Sequence, residues 1–282
     1  MNNLRRLYLS RFFSGLAFTA PIQTLYLIDQ GLTFAQIMWL ESVLSLAIML
    51  FEVPTGVIAD RIGRKRSIVL SSVIGLVAWI PFLAADSFGL FAVSFFIAGI
   101  AFTFNSGCDQ AFIYDELAGR GEQHLMSQVW GRYGAVTQIA AAAAGLAGGM
   151  LAAGHHDTSR FTLLYALVIA AQIVGLLALL TLREPELTSE QDDGPRRGPW
   201  AGVTDGLRQL RGTPALRRLA GLSVFAVPFA VILNYVWQPY FQLSDVPDAW
   251  FGVTLVVASL LAASVRAFAH HPFNASWGRN ER

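Results

Sequence analysis

Long runs of uncharged, apolar residues most constrain what this chain of 282 residues can fold into. Only 14% of its residues are charged and 54% are hydrophobic, whereas a soluble domain carries about 25% charged residues. The charges lie in short patches between the apolar runs. A run of roughly 20 apolar residues crosses the hydrocarbon core as a helix, in which every main-chain polar group is satisfied. The sequence therefore predicts an all-α membrane protein with several spans.

Seven apolar runs are long enough to span a bilayer, and an eighth begins near residue 249 and ends by residue 265. We place the seven spans at residues 7–28, 37–57, 68–85, 88–113, 128–153, 161–182 and 216–241. The region between the sixth and seventh spans is rich in Gly, Pro and charged residues, which is typical of a linker. We therefore divide the chain into a six-span bundle at 1–183, a cytoplasmic linker at 184–215, the start of a second bundle at 216–265 and an atypical tail at 266–282.

Arg and Lys collect at one set of span ends, from Arg5 and Arg6 through residues 61–66 to the linker. The opposite ends carry acidic residues such as Asp29 and Asp86. Loops rich in Arg and Lys remain in the cytoplasm. We therefore expect a multi-pass protein of a bacterial inner membrane, whose N-terminus and linker are cytoplasmic.

The turn between the second and third predicted spans carries the most specific motif in the chain. Residues 52–66 read EVPTGVIADRIGRKR. The run resembles the signature G-x-x-x-D-R-x-G-R-K of the major facilitator superfamily, matched at Gly56, Asp60, Arg61, Gly63, Arg64 and Lys65. An ordinary basic anchor is the alternative, but it would explain only the cationic residues. The resemblance implies a major-facilitator-like six-helix N-terminal bundle followed by the start of a second bundle.

The residue types of this turn suggest its local structure. Gly56 would let a neighbouring helix approach closely, and Gly63 would permit the positive φ of a tight turn. Asp60, at the membrane edge, should find either a cation, for which Arg64 is the nearest candidate, or a helix N-terminus. Asp115 or Glu116 could extend the pairing. In the family this turn is thought to latch against a helix of the second half, which we expect to be missing from this chain.

Ionisable and amide side chains at membrane depth are candidates for the transport chemistry. Asn105 and Asp109 lie one helical turn apart in the fourth span, in a run similar to the S-G-x-[DE]-x-A-x-x-Y-D segment of a prokaryotic major facilitator branch. Asp109 is the leading candidate for a coupling or substrate-contacting carboxylate, and a structural hydrogen bond between helices is the alternative. Asn234 and Gln238 mark the seventh span in the same way. Arg11 could snorkel to the cytoplasmic interface.

The second span carries two glutamates, Glu41 and Glu52, on one helical face with Ser45 and Gly56. We expect this small, polar face to point into the bundle. Glu41 is either a proton or cation site or a residue that satisfies a neighbouring helix, and for Glu52 we favour the second role.

The fifth span is dense in small residues, which allow close helix packing. Its run Ala144–Gly149 resembles the G-P-x-x-G-G antiporter motif, but the proline is absent and alanine replaces the first glycine. The arginine that drug/proton antiporters carry in the fourth span is absent as well. These departures argue against proton-driven drug efflux within the superfamily.

Several function classes lack support in the sequence. Cys108 is the only cysteine, and the chain has no phosphate-binding loop and no catalytic cluster. His155-His156-Asp157 is more typical of a solvated loop than of a metal site. We therefore expect no enzyme activity, no cofactor, no metal and no nucleic acid.

The resemblance implies a secondary transporter that moves a small solute across the lipid bilayer by alternating access, driven either by a gradient of H⁺ or another cation or by the solute's own gradient. We expect the chain to be truncated after about seven to eight of twelve spans. The alternative is an inactive remnant, or a half-size protein that works only by assembling with another chain.

Overall fold

A computed structural model describes residues 3–153, 159–184, 208–247 and 249–268. Within these ranges the regular structure is helical, with no strand. The helices are α1 (Asn3–Ser14), α2 (Gln23–Asp29), α3 (Phe34–Ile62), α4 (Arg64–Leu83), α5 (Phe88–Asn105), α6 (Cys108–Ala118), α7 (Met126–Ala153), α8 (Ser159–Leu180), α9 (Pro214–Leu243) and α10 (Ala249–Phe268). A 3₁₀ turn at Gln123–Leu125 precedes α7, and residues 208–212 are also helical.

Six helical stretches in the described part of the chain are long and apolar enough to cross a membrane. They are Phe34–Ile62, Arg64–Leu83, Phe88–Ala118, Gln123–Leu151, Phe161–Leu180 and Pro214–Leu243. A shorter apolar stretch, Trp250–Ser264, lies within α10 at the predicted eighth run. The prediction of an all-α membrane protein is therefore confirmed.

The first predicted span is not a continuous helix, so the run placed at residues 7–28 was wrong in this respect. α1 ends at Ser14, α2 begins at Gln23, and residues 15–22 between them form turns. Two neighbours contact this segment. A Cβ added to Gly148 of α7 would lie 2.1 Å from the carbonyl oxygen of Phe18, and Gln238 of α9 hydrogen-bonds to main-chain groups nearby. Contacts distant in sequence thus shape the break.

The fourth predicted span is also interrupted. α5 ends at Asn105 and α6 begins at Cys108, with Gly107 between them at φ +74°. This left-handed conformation favours glycine because it has no Cβ. The break places Asp109 in the first turn of a new helix, close to the end of α5.

Two clusters of buried side chains fill the bundle formed by α1 to α8. One contains Leu27, Leu40, Phe91, Leu164 and Tyr165, and the other contains Leu7, Phe112, Ile113, Leu117 and Leu179. Lipid tails are as apolar as these side chains, so close packing and polar contacts, rather than exclusion of water, hold membrane helices together. The few polar contacts inside the bundle therefore carry particular weight.

The small residues of α7 pack closely, as predicted, and α10 is one of their partners. A Cβ on Gly149 would lie 2.8 Å from the main chain of Gly252, and a Cβ on Gly252 would lie 2.8 Å from the carbonyl oxygen of Gly145. Only glycine permits this approach. The predicted loop His155–Asp157, most of the predicted linker and most of the predicted tail lie outside the described residues.

Candidate functional site

The turn between α3 and α4 consists of a single residue, Gly63. Its φ is +92°, in the left-handed region that side chains with a Cβ rarely adopt. A Cβ at this position would also lie 2.7 Å from Oε1 of Glu184. The backbone conformation therefore requires glycine at this point of the motif, and any larger residue would also have to displace the end of the Glu184 side chain.

Arg64 forms an ion pair with Asp115 and so joins the start of α4 to α6. Asp115 is only 8% exposed, and a buried carboxylate is costly unless a cation compensates it. The expected pair between Asp60 and Arg64 does not form, because Asp60 is exposed and the guanidinium turns to the buried carboxylate instead. Charge attraction is stronger where water is excluded.

Glu116 does not extend this ion pair, contrary to one of the two alternatives left open by the sequence. It pairs with Arg120 and accepts a 2.7 Å hydrogen bond from Nδ2 of Asn3. The same amide nitrogen donates to the carbonyl oxygen of Arg183 at 3.0 Å. Glu116 thus connects α6 with the beginning of α1 and the residues that follow α8.

The remaining motif residues are less enclosed. Gly56 has no atom of the described residues within 4 Å of the position of a Cβ, so no described helix uses it for close approach. Arg61 is exposed. The main-chain N–H of Lys65 donates to Oε1 of Glu184 at 3.3 Å. Glu184 was missed as a site residue, and the acidic start of the predicted linker was the one signal that could have indicated it.

Asp109 is the centre of a buried polar cluster and is only 5% exposed. Its Oδ2 accepts hydrogen bonds from Nδ2 of Asn105 at 3.0 Å and from the hydroxyl of Tyr133 at 2.6 Å. Its Oδ1 is buried and has no hydrogen-bond partner among the described residues. The structure therefore brings Asn105 and Asp109 together, as their spacing predicted, and adds Tyr133 from α7.

Arg11 belongs to the same region and does not snorkel to the interface. Its Nε donates to Oγ1 of Thr137 at 2.8 Å, and its guanidinium carbon lies 5.1 Å from the centre of the Tyr133 ring. Contacts of a cation with an aromatic ring strengthen when water is excluded. The guanidinium is therefore held by Thr137 and Tyr133 of α7.

We had expected the polar face of α3 to point into the bundle, but it does not. Ser45, Glu52 and Gly56 are exposed, whereas the buried residues of α3 include Leu40 and Thr55. Glu52 accepts a 2.7 Å hydrogen bond from the hydroxyl of Ser106, at the break between α5 and α6. The face is consequently open on the surface of the described bundle.

Glu41 contacts α9 rather than a helix of its own bundle. Its carboxylate accepts a hydrogen bond from the hydroxyl of Tyr235. Gln238 contacts the first span at Ala20 and Thr24. Of the two amides predicted in the seventh span, Asn234 is exposed and Gln238 meets the first bundle. Positions 235 and 238 are three residues apart and share the face that meets the bundle.

These contacts define what the cluster around Asp109 can do chemically. A proton can be added to Oδ1 without loss of either hydrogen bond to Oδ2, since a carboxylic acid keeps acceptor capacity on its other oxygen. The charged form is stabilised by the two donors. Among the described residues, no group of three or more His, Cys, Asp or Glu side chains is placed to hold a metal ion.

Comparison with known proteins adds the family. The family model of the Major Facilitator Superfamily matches residues 7–281, and thus includes most of the segment 266–282 that we had described as an atypical tail. The chain is also 38% identical over 88 residues to a protein of Bacillus subtilis (strain 168) named "Uncharacterized MFS-type transporter YxaM". That alignment covers 31% of this chain and only 22% of the relative. Because the family model covers nearly all of its residues, the chain belongs to the major facilitator superfamily, whose members are membrane transporters.

Proposed function

We propose that the chain acts in a secondary transporter that moves a small solute by alternating access, and that Asp109 binds the proton that couples this movement to a gradient. The single observation that carries the proposal is the asymmetry of the Asp109 carboxylate. Oδ2 has two donors and Oδ1 has no described partner. Ionisable groups buried within membrane spans commonly mark proton or ion pathways.

A proton suits this site better than a metal ion. Hard cations are held by several oxygen ligands, whereas no described polar group hydrogen-bonds to Oδ1. Tyr133, which donates to Asp109, also lies 5.1 Å from the guanidinium carbon of Arg11, measured to the centre of its ring.

The open polar face of α3 is the proposed side of solute contact. Glu52 and Ser45 are exposed there, and Ser106 connects Glu52 to the helix break that precedes Asp109. Transporters built from two bundles bind solutes between the bundles, near the middle of the membrane. In this arrangement Asp109 lies behind the solute-contacting face rather than on it. Protonation of Asp109 then changes the packing of the helices next to the solute.

Transport currents on a solid-supported membrane test the proposal. Proteoliposomes with the chain would be exposed to sugars, amino acids, organic anions and organic cations at an imposed pH gradient. We expect one class to give a current that depends on the gradient and is lost in Asp109→Asn. Asn234→Ala, which changes an exposed amide, is the matched control. Currents that persist unchanged in Asp109→Asn would contradict the role of this carboxylate.

A further inference from the structure

A side chain of α9 interrupts the main-chain hydrogen bonding of the first span. Nε2 of Gln238 donates to the carbonyl oxygen of Ala20 at 2.8 Å, and its Oε1 accepts from the N–H of Thr24 at 2.9 Å. Residues 20 and 24 are four apart, so in an α-helix these two main-chain groups would bond directly to each other. The carboxamide supplies one donor and one acceptor, and thereby occupies the place of one helical hydrogen bond.

Pro21 does not by itself account for this break. Pro54 and Pro81 lie inside the continuous helices α3 and α4. A proline at position 21 removes only its own hydrogen bond and crowds the preceding turn, so it leaves the groups of Ala20 and Thr24 available to each other. Insertion of a side chain into the helical hydrogen bonds is a recognised cause of a break, and Gln238 is such a side chain.

The insertion takes place where water is excluded. Gln238 is 3% exposed and Thr24 is fully buried. One turn earlier on α9, Tyr235 donates to Glu41 of α3, and Tyr235 is 8% exposed. Two buried side chains on one face of α9, Tyr235 and Gln238, therefore make polar contacts with the first bundle, and a movement of α9 away from the bundle has to break both contacts.

The carbonyl of Ala20 and the N–H of Thr24 can both be hydrogen-bonded in two ways. With Gln238 in place, Ala20 and Thr24 both bond to the carboxamide. Without it, both groups would be unpaired at membrane depth, where an unpaired main-chain group is costly. The direct bond from the N–H of Thr24 to the carbonyl of Ala20 removes that cost, and it closes the helical turn.

We infer that Gln238 is a wedge: it keeps the first span broken while α9 lies against the first bundle, and the span closes toward a continuous helix when α9 moves away. The inference deepens the proposed function, on which it rests for the motion that withdraws α9. Gln238 thereby couples the movement of α9 to the segment 15–22, which is either broken or closed into a helix. This segment also contacts α7 at Gly148, so its change of shape reaches the helix that carries Tyr133.

Distances within the first span, measured by pulsed electron paramagnetic resonance, test without any solute whether Gln238 keeps this span broken. Spin labels at Leu9 and Ile28, which are both exposed, would be placed in the full chain with its single cysteine replaced, Cys108→Ser. A continuous helix separates these positions by about 29 Å. Gln238→Met keeps the size of the side chain but removes its donor and acceptor, and we expect it to shift the main population to that distance.

Two further variants control for the alternatives. Asn234→Ala, which removes an exposed amide of the same helix, should keep the wild-type distance. Pro21→Ala with Gln238 intact should also keep it, since the wedge remains. The inference is overturned if Gln238→Met retains the wild-type distance or only broadens it, or if Pro21→Ala alone yields the continuous helix. Failure of the wedge would leave the gradient-dependent currents and their loss in Asp109→Asn unchanged, so the two proposals fail separately.

Discussion

The hydroxyl of Tyr133 donates a 2.6 Å hydrogen bond to Oδ2 of Asp109, the same oxygen that accepts from Asn105. Tyr133 is 4% exposed, and its ring lies against the guanidinium of Arg11. A single hydroxyl thus stands between a buried carboxylate and a cation inside the membrane. The energy of the charged form of Asp109 therefore depends on this hydroxyl.

Removal of that hydroxyl should destabilise the protein. Tyr133→Phe leaves the carboxylate with one donor fewer, and we expect the free energy of unfolding to fall by about 1.5–3 kcal/mol, as for hydrogen bonds to charged groups. Chemical unfolding in detergent measures the change. In an Asp109→Asn background the loss should shrink, because the acceptor is neutral. An equal loss in both backgrounds would contradict the assigned contact.

The two motif glycines should respond differently to the same substitution. Gly63→Ala places a Cβ at φ +92° and 2.7 Å from Glu184, and strain of this kind costs about 1–3 kcal/mol. Gly56→Ala meets no described atom within 4 Å and should be neutral, or gain up to about 1 kcal/mol from helix propensity. Thermal midpoints of the two variants give the comparison. Similar midpoints for both would argue against the one-residue turn.

A second variant separates the two causes at Gly63. Glu184→Ala removes the carboxylate but leaves the backbone conformation, so it should recover only part of the loss caused by Gly63→Ala. Full recovery would mean that the positive φ contributes little. No recovery would mean that the Glu184 side chain moves aside at little cost.

The ion pair between Arg64 and Asp115 should couple α4 to α6. Arg64→Ala leaves Asp115, which is 8% exposed, without its cation. Because Arg64 is itself partly exposed, we expect a loss of about 1–3 kcal/mol, below the range for fully buried pairs. The double variant Arg64→Met/Asp115→Leu should be more stable than Arg64→Ala alone. Arg61→Ala, at an exposed position of the same turn, is the control and should change little.

The glycine contact between α7 and α10 should not tolerate an added methyl group. Gly149→Ala brings a Cβ within 2.8 Å of the main chain of Gly252, and overpacking of this kind costs about 1–3 kcal/mol. Gly221→Ala in α9, where nothing lies within 4 Å, is the matched control. Cleavage of the chain between the two bundles by a protease, followed by measurement of whether α10 still co-purifies with α7, reports the contact. Unaltered co-purification in Gly149→Ala would contradict it.

The sequence predicted those parts of the fold that depend on local composition. The spans that contain α3, α4, α7, α8 and α9 follow from runs of apolar residues, since hydrophobic length is a local property. The breaks at residues 15–22 and at Gly107 were not predicted. The first depends on Gln238, about 200 residues away in the chain, and a single glycine does not reveal the φ that tertiary packing will impose on it.

The candidate site, like the fold, was predictable only where its contacts join residues that are close in the sequence. The contact between Asn105 and Asp109 was predicted from their spacing of four residues, although in the structure it crosses the break at Gly107. Tyr133 comes from another helix, and no local pattern connects it with Asp109. In α9 the spacing of four residues suggested Asn234 with Gln238, whereas the bundle selected Tyr235 with Gln238. Which face of a membrane helix is buried depends on its neighbours, and the sequence of one helix does not contain that information.

The most direct test of the central claim is the protonation of Asp109 itself. Infrared difference spectra of the chain in lipid would be recorded as the pH is stepped from acid to alkaline, because a buried carboxylic acid has a carbonyl band that the carboxylate lacks. We expect such a band in the wild type, its loss in Asp109→Asn and its retention in Glu41→Gln. A band that survives in Asp109→Asn, or a wild-type spectrum without one, would contradict proton binding at Asp109.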